Sequence, residues 1–239
     1  MRDLRRAVAL LTILPVDFDA EDPAPLGRAM AWYPVVGLGI GLLLAALWWA
    51  LGERAGLLRA ALVLAAWAVV TGGLHLDGWG DCCDGLLAAV EPARRLEILK
   101  DPRMGGFGTA GLVLLLLVKL SALAVLTDVR ALVLAPVLGR WVVILVAHHW
   151  PSARRGGMGD SFRAGLGARE IGSATAIALT VTLVLGGGAA MAGTLLAAAS
   201  LATFAAGRLG GLTGDVYGAV IEGAETAALV ATALLGAHA

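Results

Sequence analysis

The chain has 239 residues, of which 59% are hydrophobic and 15% charged, and its mean hydropathy is +0.85. Soluble domains of this length are much less apolar, so the composition indicates a polytopic membrane protein. The 18 basic and 18 acidic residues leave no net charge, which excludes a basic field able to hold nucleic acid. We expect an all-α, polytopic integral membrane helical bundle that forms a single domain over residues 1–239.

Residues 1–15 place basic side chains on one side and Leu4, Val8 and Leu11 on the other, which predicts a short helix lying on the membrane surface. About seven longer apolar segments follow, each close to the length that crosses a bilayer. We place these spans at residues 33–51, 57–74, 108–126, 131–150, 172–190, 193–209 and 224–237. In this interpretation the glycines at 186–188 separate the fifth span from the sixth.

The basic residues predict an orientation. With a cytoplasmic amino terminus, thirteen of them lie on the cytoplasmic side, three on the other side and two inside spans. The thirteen are Arg2, Arg5, Arg6, Arg28, Arg94, Arg95, Lys100, Arg103, Arg154, Arg155, Arg163, Arg169 and Arg208, and the three are Arg54, Arg59 and Arg130. The positive-inside rule then predicts that residues 75–108, 151–171 and 208–223 lie on the cytoplasmic face of the membrane.

An acidic, glycine-rich motif follows the second span at residues 72–86. Its acids Asp77, Asp81 and Asp84, at i, i+4 and i+7, fall within a stripe about 60° wide on a helix, so we expect them to converge. Converging carboxylates repel one another unless a cation or protons intervene. A site that offers only oxygen ligands and leaves room for phosphate oxygens favours Mg²⁺ or Mn²⁺ over Zn²⁺. A solvated acidic helix start is the alternative.

His75 lies two residues before Asp77 but off the acidic stripe. Two interpretations of His75 are open: it contacts a substrate phosphate, or it simply lies at the membrane surface. A second acidic segment begins in the glycine-rich stretch 210–218 and offers Asp215, Glu222 and Glu225 at i, i+7 and i+10 of a second helix start. For the two glutamates, interfacial polarity alone is an equally good interpretation.

Lys119 and Arg140 lie inside predicted spans, roughly 15–18 Å from the cytoplasmic ends at about 1.5 Å per residue. Intramembrane cations usually face a polar cavity, so we expect both to line a cleft that contacts substrate. Snorkelling to an interface is the structural alternative. A transporter that binds an anion through these two residues is the rival function, but its site would lie nearer the midplane than the acids do.

Several motifs together resemble the cobalamin synthase family, the adenosylcobinamide-GDP ribazoletransferases. They are His-Leu-Asp-Gly at 75–78, Asp81, Asp-Gly-Leu at 84–86 and the segment 96–108, followed by 156–159 and 211–225 and preceded by 11–16 and 32–37. Cys82-Cys83 and Pro102 depart mildly from the family pattern. A partial likeness to the CDP-alcohol phosphotransferases, in residues 81–85 and 211–215, lacks that family's final Asp, because position 219 is Ala219.

The resemblance implies an enzyme of the last steps of vitamin B12 synthesis. It would join adenosylcobinamide-GDP to α-ribazole or its 5′-phosphate and release GMP, with Mg²⁺ held by Asp77, Asp81, Asp84 and Asp215. Asp215 or Glu222 is the expected general base, and His75 is a further catalytic candidate. The expected substrate-binding residues are Lys100, Asp101, Arg103, Lys119, Arg140, Arg154 and Arg155. Lipid is an expected partner, and homo-oligomer formation stays open.

Overall fold

A computed structural model describes residues 1–16, 25–53 and 56–235, so Arg54 of the orientation count and the end of the predicted last span lie outside the described residues. Within these ranges the chain forms twelve helices. They are α1 (Arg2–Leu11), α2 (Gly27–Met30), α3 (Tyr33–Leu51), α4 (Gly56–Val70), α5 (Leu74–Leu87), α6 (Pro92–Ile98), α7 (Gly106–Ala124), α8 (Arg130–His149), α9 (Met158–Arg163), α10 (Ala168–Leu185), α11 (Gly188–Leu209) and α12 (Gly214–Leu235).

Six of these helices, α3, α7, α8, α10, α11 and α12, are long and apolar enough to cross a membrane. Helices α4 and α5 pass the same test together but are bent by 90°, and they make a seventh span if counted as one. The all-α, multi-pass prediction is confirmed. Helices α10 and α11 are separate, because Gly186 ends α10 in the left-handed conformation (φ 69°).

Helices α8 and α12 form the centre of the bundle. Their most apolar stretches are 89% and 56% buried, whereas those of α10 and α11 are 17% and 28% buried and leave a wide apolar surface for lipid. Helix α3 lies directly on α8 through Gly37 and Gly41. A methyl group at either position would come within 2.5–2.6 Å of the α8 backbone. This close approach uses the small-xxx-small packing common in membrane helices.

The acidic motif is itself a helix inside the bundle. Helix α4 ends at Val70, four residues before the predicted end of the second span. Gly72 and Gly73 then adopt positive φ angles of 63° and 67°, which turn the chain into α5. The acids of α5 therefore pack beside α7 and α12 instead of following the span as a surface segment.

The predicted start of the last span was wrong by ten residues, because α12 already begins at Gly214. Glu222 and Glu225 therefore lie about 12–16 Å inside this helix, at about 1.5 Å per residue, and not at a helix start beside Asp215. The short amino-terminal helix is confirmed as α1, which buries Ala7 and Leu11. Just beyond it, the Ile13 N–H donates to the Val70 carbonyl over 2.9 Å. This contact holds α1 at the end of the bundle where α4 meets α5.

Candidate active site

Three polar segments meet at one end of the bundle. They were predicted from the sequence to lie on the same face of the membrane. The Ala153 N–H donates to the Leu212 carbonyl over 2.9 Å, and the Leu212 N–H donates to the Pro151 carbonyl over 2.8 Å. The Arg154 guanidinium donates to the carbonyl of Leu96. The segments around residues 96–105, 151–160 and 210–215 therefore form one surface next to α5.

Two glycines bring α5 and α12 into backbone contact at this surface. A methyl group at Gly78 would stand 2.8 Å from the Asp215 carbonyl, and one at Gly218 would stand 3.3 Å from the Cα of His75. This packing places the carboxylates of Asp77 and Asp81 on α5 beside Asp215, although about 130 residues separate them along the chain. The Asp81 carboxylate interacts electrostatically with both other carboxylates and, to a smaller extent, with that of Asp84. Asp77 is exposed, whereas Asp81 and Asp215 are half-buried.

Asp84 has other partners. Its carboxylate accepts hydrogen bonds from the Gly105 N–H (2.6 Å) and the Gly108 N–H (2.8 Å), which are at the start of α7. These backbone groups have no partner within the helix, so Asp84 caps α7. The expected convergence of all three α5 carboxylates on one point is not seen in the described part of the chain.

The chemistry of Asp77, Asp81 and Asp215 fits a divalent cation. All three offer carboxylate oxygens, the donors that Mg²⁺ and Mn²⁺ prefer, and their mutual repulsion falls when a cation lies between them. Within residues 1–16, 25–53 and 56–235, no three His, Cys, Asp or Glu side chains already form a group able to hold a metal ion. The three carboxylates share one surface, but within the described residues they do not stand close enough together to make a formed metal site.

A polar cleft of about 240 Å³ opens beside Asp215. Lys100 and Arg154, two of the predicted phosphate-binding residues, line it together with Ser152 and Thr213. The Arg154 guanidinium interacts electrostatically with the Asp215 carboxylate. The cleft thus sets two cations next to the acids, an arrangement suited to a phosphate group that also meets a metal.

Three other predicted substrate-binding residues lie outside this cleft. Asp101 and Arg103 form an exposed ion pair, in which Nη2 of Arg103 lies 2.8 Å from Oδ2 of Asp101. Hydrogen bonds from Arg103 lower the pKa of Asp101 to about 2, so this carboxylate stays ionised at physiological pH. Both line a separate cleft of about 310 Å³ with Asp84. Arg155 is exposed next to Arg154.

A mainly apolar cavity of about 220 Å³ lies on the other side of Asp215. His75, Asp77 and Asp215 line its polar wall, and Phe162 and Tyr217 lie among its apolar and aromatic lining. Asp215 is the one carboxylate of the described residues that borders both this cavity and the basic cleft. The aromatic lining was not predicted from the sequence, since nothing in the spacing of α9 and α12 indicates that they meet.

Lys119 and Arg140 form a buried ionic cluster with the two glutamates of α12. Nζ of Lys119 lies 2.6 Å from Oε2 of Glu222 and 2.7 Å from Oε2 of Glu225, and Arg140 pairs with Glu225. All four side chains are at most 3% exposed. Nη2 of Arg140 also lies 3.5 Å from Nδ1 of His75, which links this ionic cluster to the wall of the apolar cavity.

This ionic cluster changes three interpretations. The charges of Lys119 and Arg140 are matched inside the protein, so they are not free to line a substrate cleft. The carboxylate of Glu222 is engaged by Lys119 and lies far along α12 from Asp215, which removes it as the general base. The rival hypothesis of an anion transporter needed Lys119 and Arg140 to bind the anion, and both are instead paired with glutamates. Two bases deep inside predicted spans, and two glutamates at and just before the start of another, were the signal that could have revealed the ionic cluster.

The chain is similar to known proteins over nearly its whole length. The model of the family described as cobalamin-5-phosphate synthase matches residues 3–233. The chain belongs to this family. No solved structure matches the chain.

Curated relatives of this cobalamin-5-phosphate synthase family member align over nearly their full length. An adenosylcobinamide-GDP ribazoletransferase of Ectopseudomonas mendocina (strain ymp) is 41% identical and covers 96% of this chain and 98% of the relative. Relatives of the same name from Roseiflexus sp. (strain RS-1) and Brevibacillus brevis are each 38% identical, over 95% and 96% of this chain and 88% and 97% of the relatives. The chain is accordingly an enzyme of cobalamin synthesis.

Proposed function

We propose that this enzyme transfers the phosphoryl-linked corrinoid of adenosylcobinamide-GDP to α-ribazole or its 5′-phosphate, giving adenosylcobalamin or its phosphate and GMP. The observation that carries the proposal is the full-length similarity, at 38–41% identity, to relatives named for this reaction. The position of three acids beside a basic cleft also supports the proposal. The reaction breaks a pyrophosphate, whose negative charges a metal ion and basic side chains would neutralise.

In this proposal Asp77, Asp81 and Asp215 hold Mg²⁺, and Mn²⁺ is the alternative ion. When bound, the ion supplies charge neutralisation on the pyrophosphate and on the leaving GMP. Lys100 and Arg154 contribute further positive charge from the cleft, and the planar guanidinium of Arg154 can bind two phosphate oxygens at once. In this proposal Asp101 and Arg103, in their separate cleft, and the exposed Arg155 meet a nucleotide before it reaches Lys100 and Arg154.

Asp215 is the proposed base. It borders both the cavity and the cleft, so it can reach a hydroxyl whose substrate extends into either. The ribose hydroxyl gives its proton to the Asp215 carboxylate, its oxygen forms a bond to the corrinoid-side phosphorus, and the bond from that phosphorus to GMP breaks. His75 is buried against Arg140 on the cavity wall, where it positions α5 without touching the reacting atoms.

The experiment is GMP release by the purified protein in detergent with Mg²⁺, adenosylcobinamide-GDP and α-ribazole. Wild-type protein should release GMP in step with the corrinoid product, and its failure to do so would refute the proposed function. Asp215→Asn should lose most of its kcat at saturating substrates, because it loses a base and metal contact used in the transition state. A rise in KM with unchanged kcat would assign Asp215 to substrate docking instead.

We also propose that this site faces the cytoplasm from the inner membrane. The cleft and the acids lie at the end of the bundle formed by residues 96–105, 151–160 and 210–215, and the basic residues of the sequence concentrate near this end. Nucleotide-activated substrates are cytoplasmic compounds, which is in keeping with that orientation.

A further inference from the structure

A polar pocket of about 510 Å³ lies between the amino-terminal ends of α1 and α10 and the connection from α2 to α3. Among the described residues, none lines both this pocket and either of the two spaces beside Asp215. We infer that the pocket binds the headgroup of a membrane phospholipid that carries a phosphate and a primary ammonium, as phosphatidylethanolamine does, with the acyl chains along α10. The inference does not depend on the proposed function.

The pocket lies where two membrane spans begin. Trp32 directly precedes α3, and Arg169 and Glu170 belong to the first turn of α10. Trp32 is 37% exposed, and tryptophan is enriched where a membrane meets water. The wall of the pocket continues along α10 to Ile177, about 12 Å farther into the span at about 1.5 Å per residue. The pocket therefore extends from the depth of lipid headgroups to the apolar part of a span.

Two arginine side chains in this pocket have no acidic partner. Arg28 of α2 and Arg169 of α10 are exposed, and neither makes a salt bridge or a side-chain hydrogen bond within the ranges that the structure describes. Guanidinium groups bind phosphate oxygens, and basic pockets beside membrane spans are typical sites for lipid headgroups. Both arginines are therefore available to bind the phosphate of a lipid.

Two acids in the same pocket determine which headgroup fits. Asp3 lies in the first turn of α1, and the Glu170 carboxylate accepts a hydrogen bond from the Gly167 N–H over 3.1 Å. With Arg28 and Arg169 the two acids leave the pocket without net charge, so it matches a zwitterion better than an anion. A primary ammonium donates hydrogen bonds to carboxylates, whereas the quaternary ammonium of choline has no N–H to donate. The pocket therefore favours ethanolamine over choline.

The surface of α10 below the pocket favours a lipid over a free phosphate compound. Glu170, Ile177 and Val184 are seven residues apart, so they lie on one face of the helix. Glu170 and Ile177 line the pocket, and Val184 is 76% exposed beyond it. One molecule with a charged head and apolar chains matches this whole face, whereas inorganic phosphate matches the pocket alone.

The test is native mass spectrometry of the full chain, freed of bulk lipid in detergent and titrated with lipids of identical acyl chains. Phosphatidylethanolamine should bind at least about tenfold more tightly than phosphatidylcholine, which is the effect of one charge-assisted hydrogen bond. Phosphatidylglycerol, which has the phosphate without the ammonium, should also bind more weakly. Inorganic phosphate and glycerophosphoethanolamine lack acyl chains and should not displace the lipid. Displacement by either compound at concentrations that match the lipid would overturn the inference.

The double variant Arg28→Gln with Arg169→Gln removes both guanidinium groups. It should bind phosphatidylethanolamine at least about tenfold more weakly than wild type, because charge-assisted hydrogen bonds to the phosphate are lost. Its melting temperature without lipid should not change, since neither arginine has an acidic partner in the described part of the chain. The matched control is Arg2→Gln with Arg5→Gln, which removes two exposed arginines of α1 outside the pocket and should leave the affinity unchanged.

Asp3→Asn tests the choice of headgroup. It leaves the pocket with an excess of positive charge, so the preference should move from phosphatidylethanolamine toward phosphatidylglycerol. An unchanged preference in this variant would overturn the inference. So would equal wild-type affinity for the ethanolamine and choline lipids, or an equal loss of binding in the two double variants. All these measurements record lipid binding alone, so their outcome is separate from whether the protein releases GMP.

Discussion

Asp81 and Asp84 lie three residues apart on α5, yet their carboxylates have different neighbours. Asp81 interacts electrostatically with Asp77 and Asp215 at the proposed metal site, and less strongly with Asp84. Asp84 receives two backbone N–H groups at the start of α7 and lies at distances of 2.6 and 2.8 Å from them. Substitution at these two positions should therefore separate loss of metal binding from loss of stability.

Asp81→Asn should abolish GMP release while the protein still purifies as a folded, monodisperse species. The change keeps the shape of the side chain and removes one of three negative charges, so the affinity for Mg²⁺ should fall about 10-fold or more. Calorimetric titration of Mg²⁺ into the wild-type and variant proteins measures this directly, without substrate.

Asp128→Asn is the matched control for that variant, because Asp128 lies in the connection between α7 and α8 at the other end of the bundle and pairs with Arg130. It should retain both Mg²⁺ binding and turnover. Full activity of Asp81→Asn at limiting Mg²⁺ would remove Asp81 from the metal site.

Asp84→Ala should destabilise the protein by about 1 kcal/mol, the usual cost of losing a helix cap. Thermal unfolding in detergent measures this effect. Mg²⁺ affinity should change less than in Asp81→Asn, because the Asp84 oxygens are already engaged by Gly105 and Gly108. A loss of Mg²⁺ binding as large as that of Asp81→Asn would instead return Asp84 to the ligand set.

The sequence predicted Asp77, Asp81, Asp84 and Asp215 as one group, because the spacing on α5 and the shared membrane face both follow from local patterns. The role of Asp84 could not be predicted in this way. Its partners are backbone N–H groups, and their availability depends on where α7 begins and on how the connection from α6 returns to α5. Neither is encoded in the spacing of the acids.

Helix α12 combines two kinds of polar residue at different depths. Asp215 lies in its first turn at the site, whereas Glu222 and Glu225 are buried in the ionic cluster with Lys119 of α7 and Arg140 of α8. Nζ of Lys119 also lies 4.3 Å from the ring centroid of Trp67 on α4. The ionic cluster thus ties α12 to α4, α7 and α8 and supports the helices that position the acids.

Glu225→Gln should destabilise the bundle by about 3–5 kcal/mol, because it leaves the charge of Arg140 buried without its partner. Unfolding in detergent, followed by heat or denaturant, measures the loss. A double-mutant cycle with Lys119→Met should give a non-additive result, since Lys119 contacts the same carboxylate.

The exposed pair of Arg94 and Glu97 on α6 provides the control, because their side chains are 65% and 64% exposed and are screened by solvent. Neutralising that pair should leave stability unchanged. Equal effects of the buried and exposed substitutions would show that the ionic cluster does not hold the helices together.

The helices themselves were largely predictable, since long apolar runs identify spans by length alone. The start of α12 was not, because the glycines and acids of residues 214–225 resemble a polar turn when read locally. They are helical because Lys119 and Arg140 neutralise the glutamates and because Gly218 allows close contact with α5. These partners lie 75 or more residues away in the sequence.

At the scale of the whole molecule, the proposed catalytic groups all lie at one end of the bundle. The cleft with Lys100 and Arg154 opens there, and the apolar cavity is closed by α1 and α9 at the same end. Nucleotide and ribazole would therefore approach from one side of the membrane. The connection between α7 and α8, which contains Asp128, lies across the bundle from this end.

This arrangement predicts the result of a topology experiment. A reporter inserted after Arg95 or Arg163 should read cytoplasmic, because both residues adjoin the site and belong to the basic-rich segments of the chain. A reporter inserted after Asp128 should read the opposite side, since α7 separates it from the cleft by one full span of 19 residues. Labelling on the same side at Arg95 and Asp128 would contradict α7 as a membrane span. If all three reporters gave the opposite result, the helical bundle would still stand but the site would face the outer side of the membrane. The cytoplasmic nucleotide substrate could not reach it there.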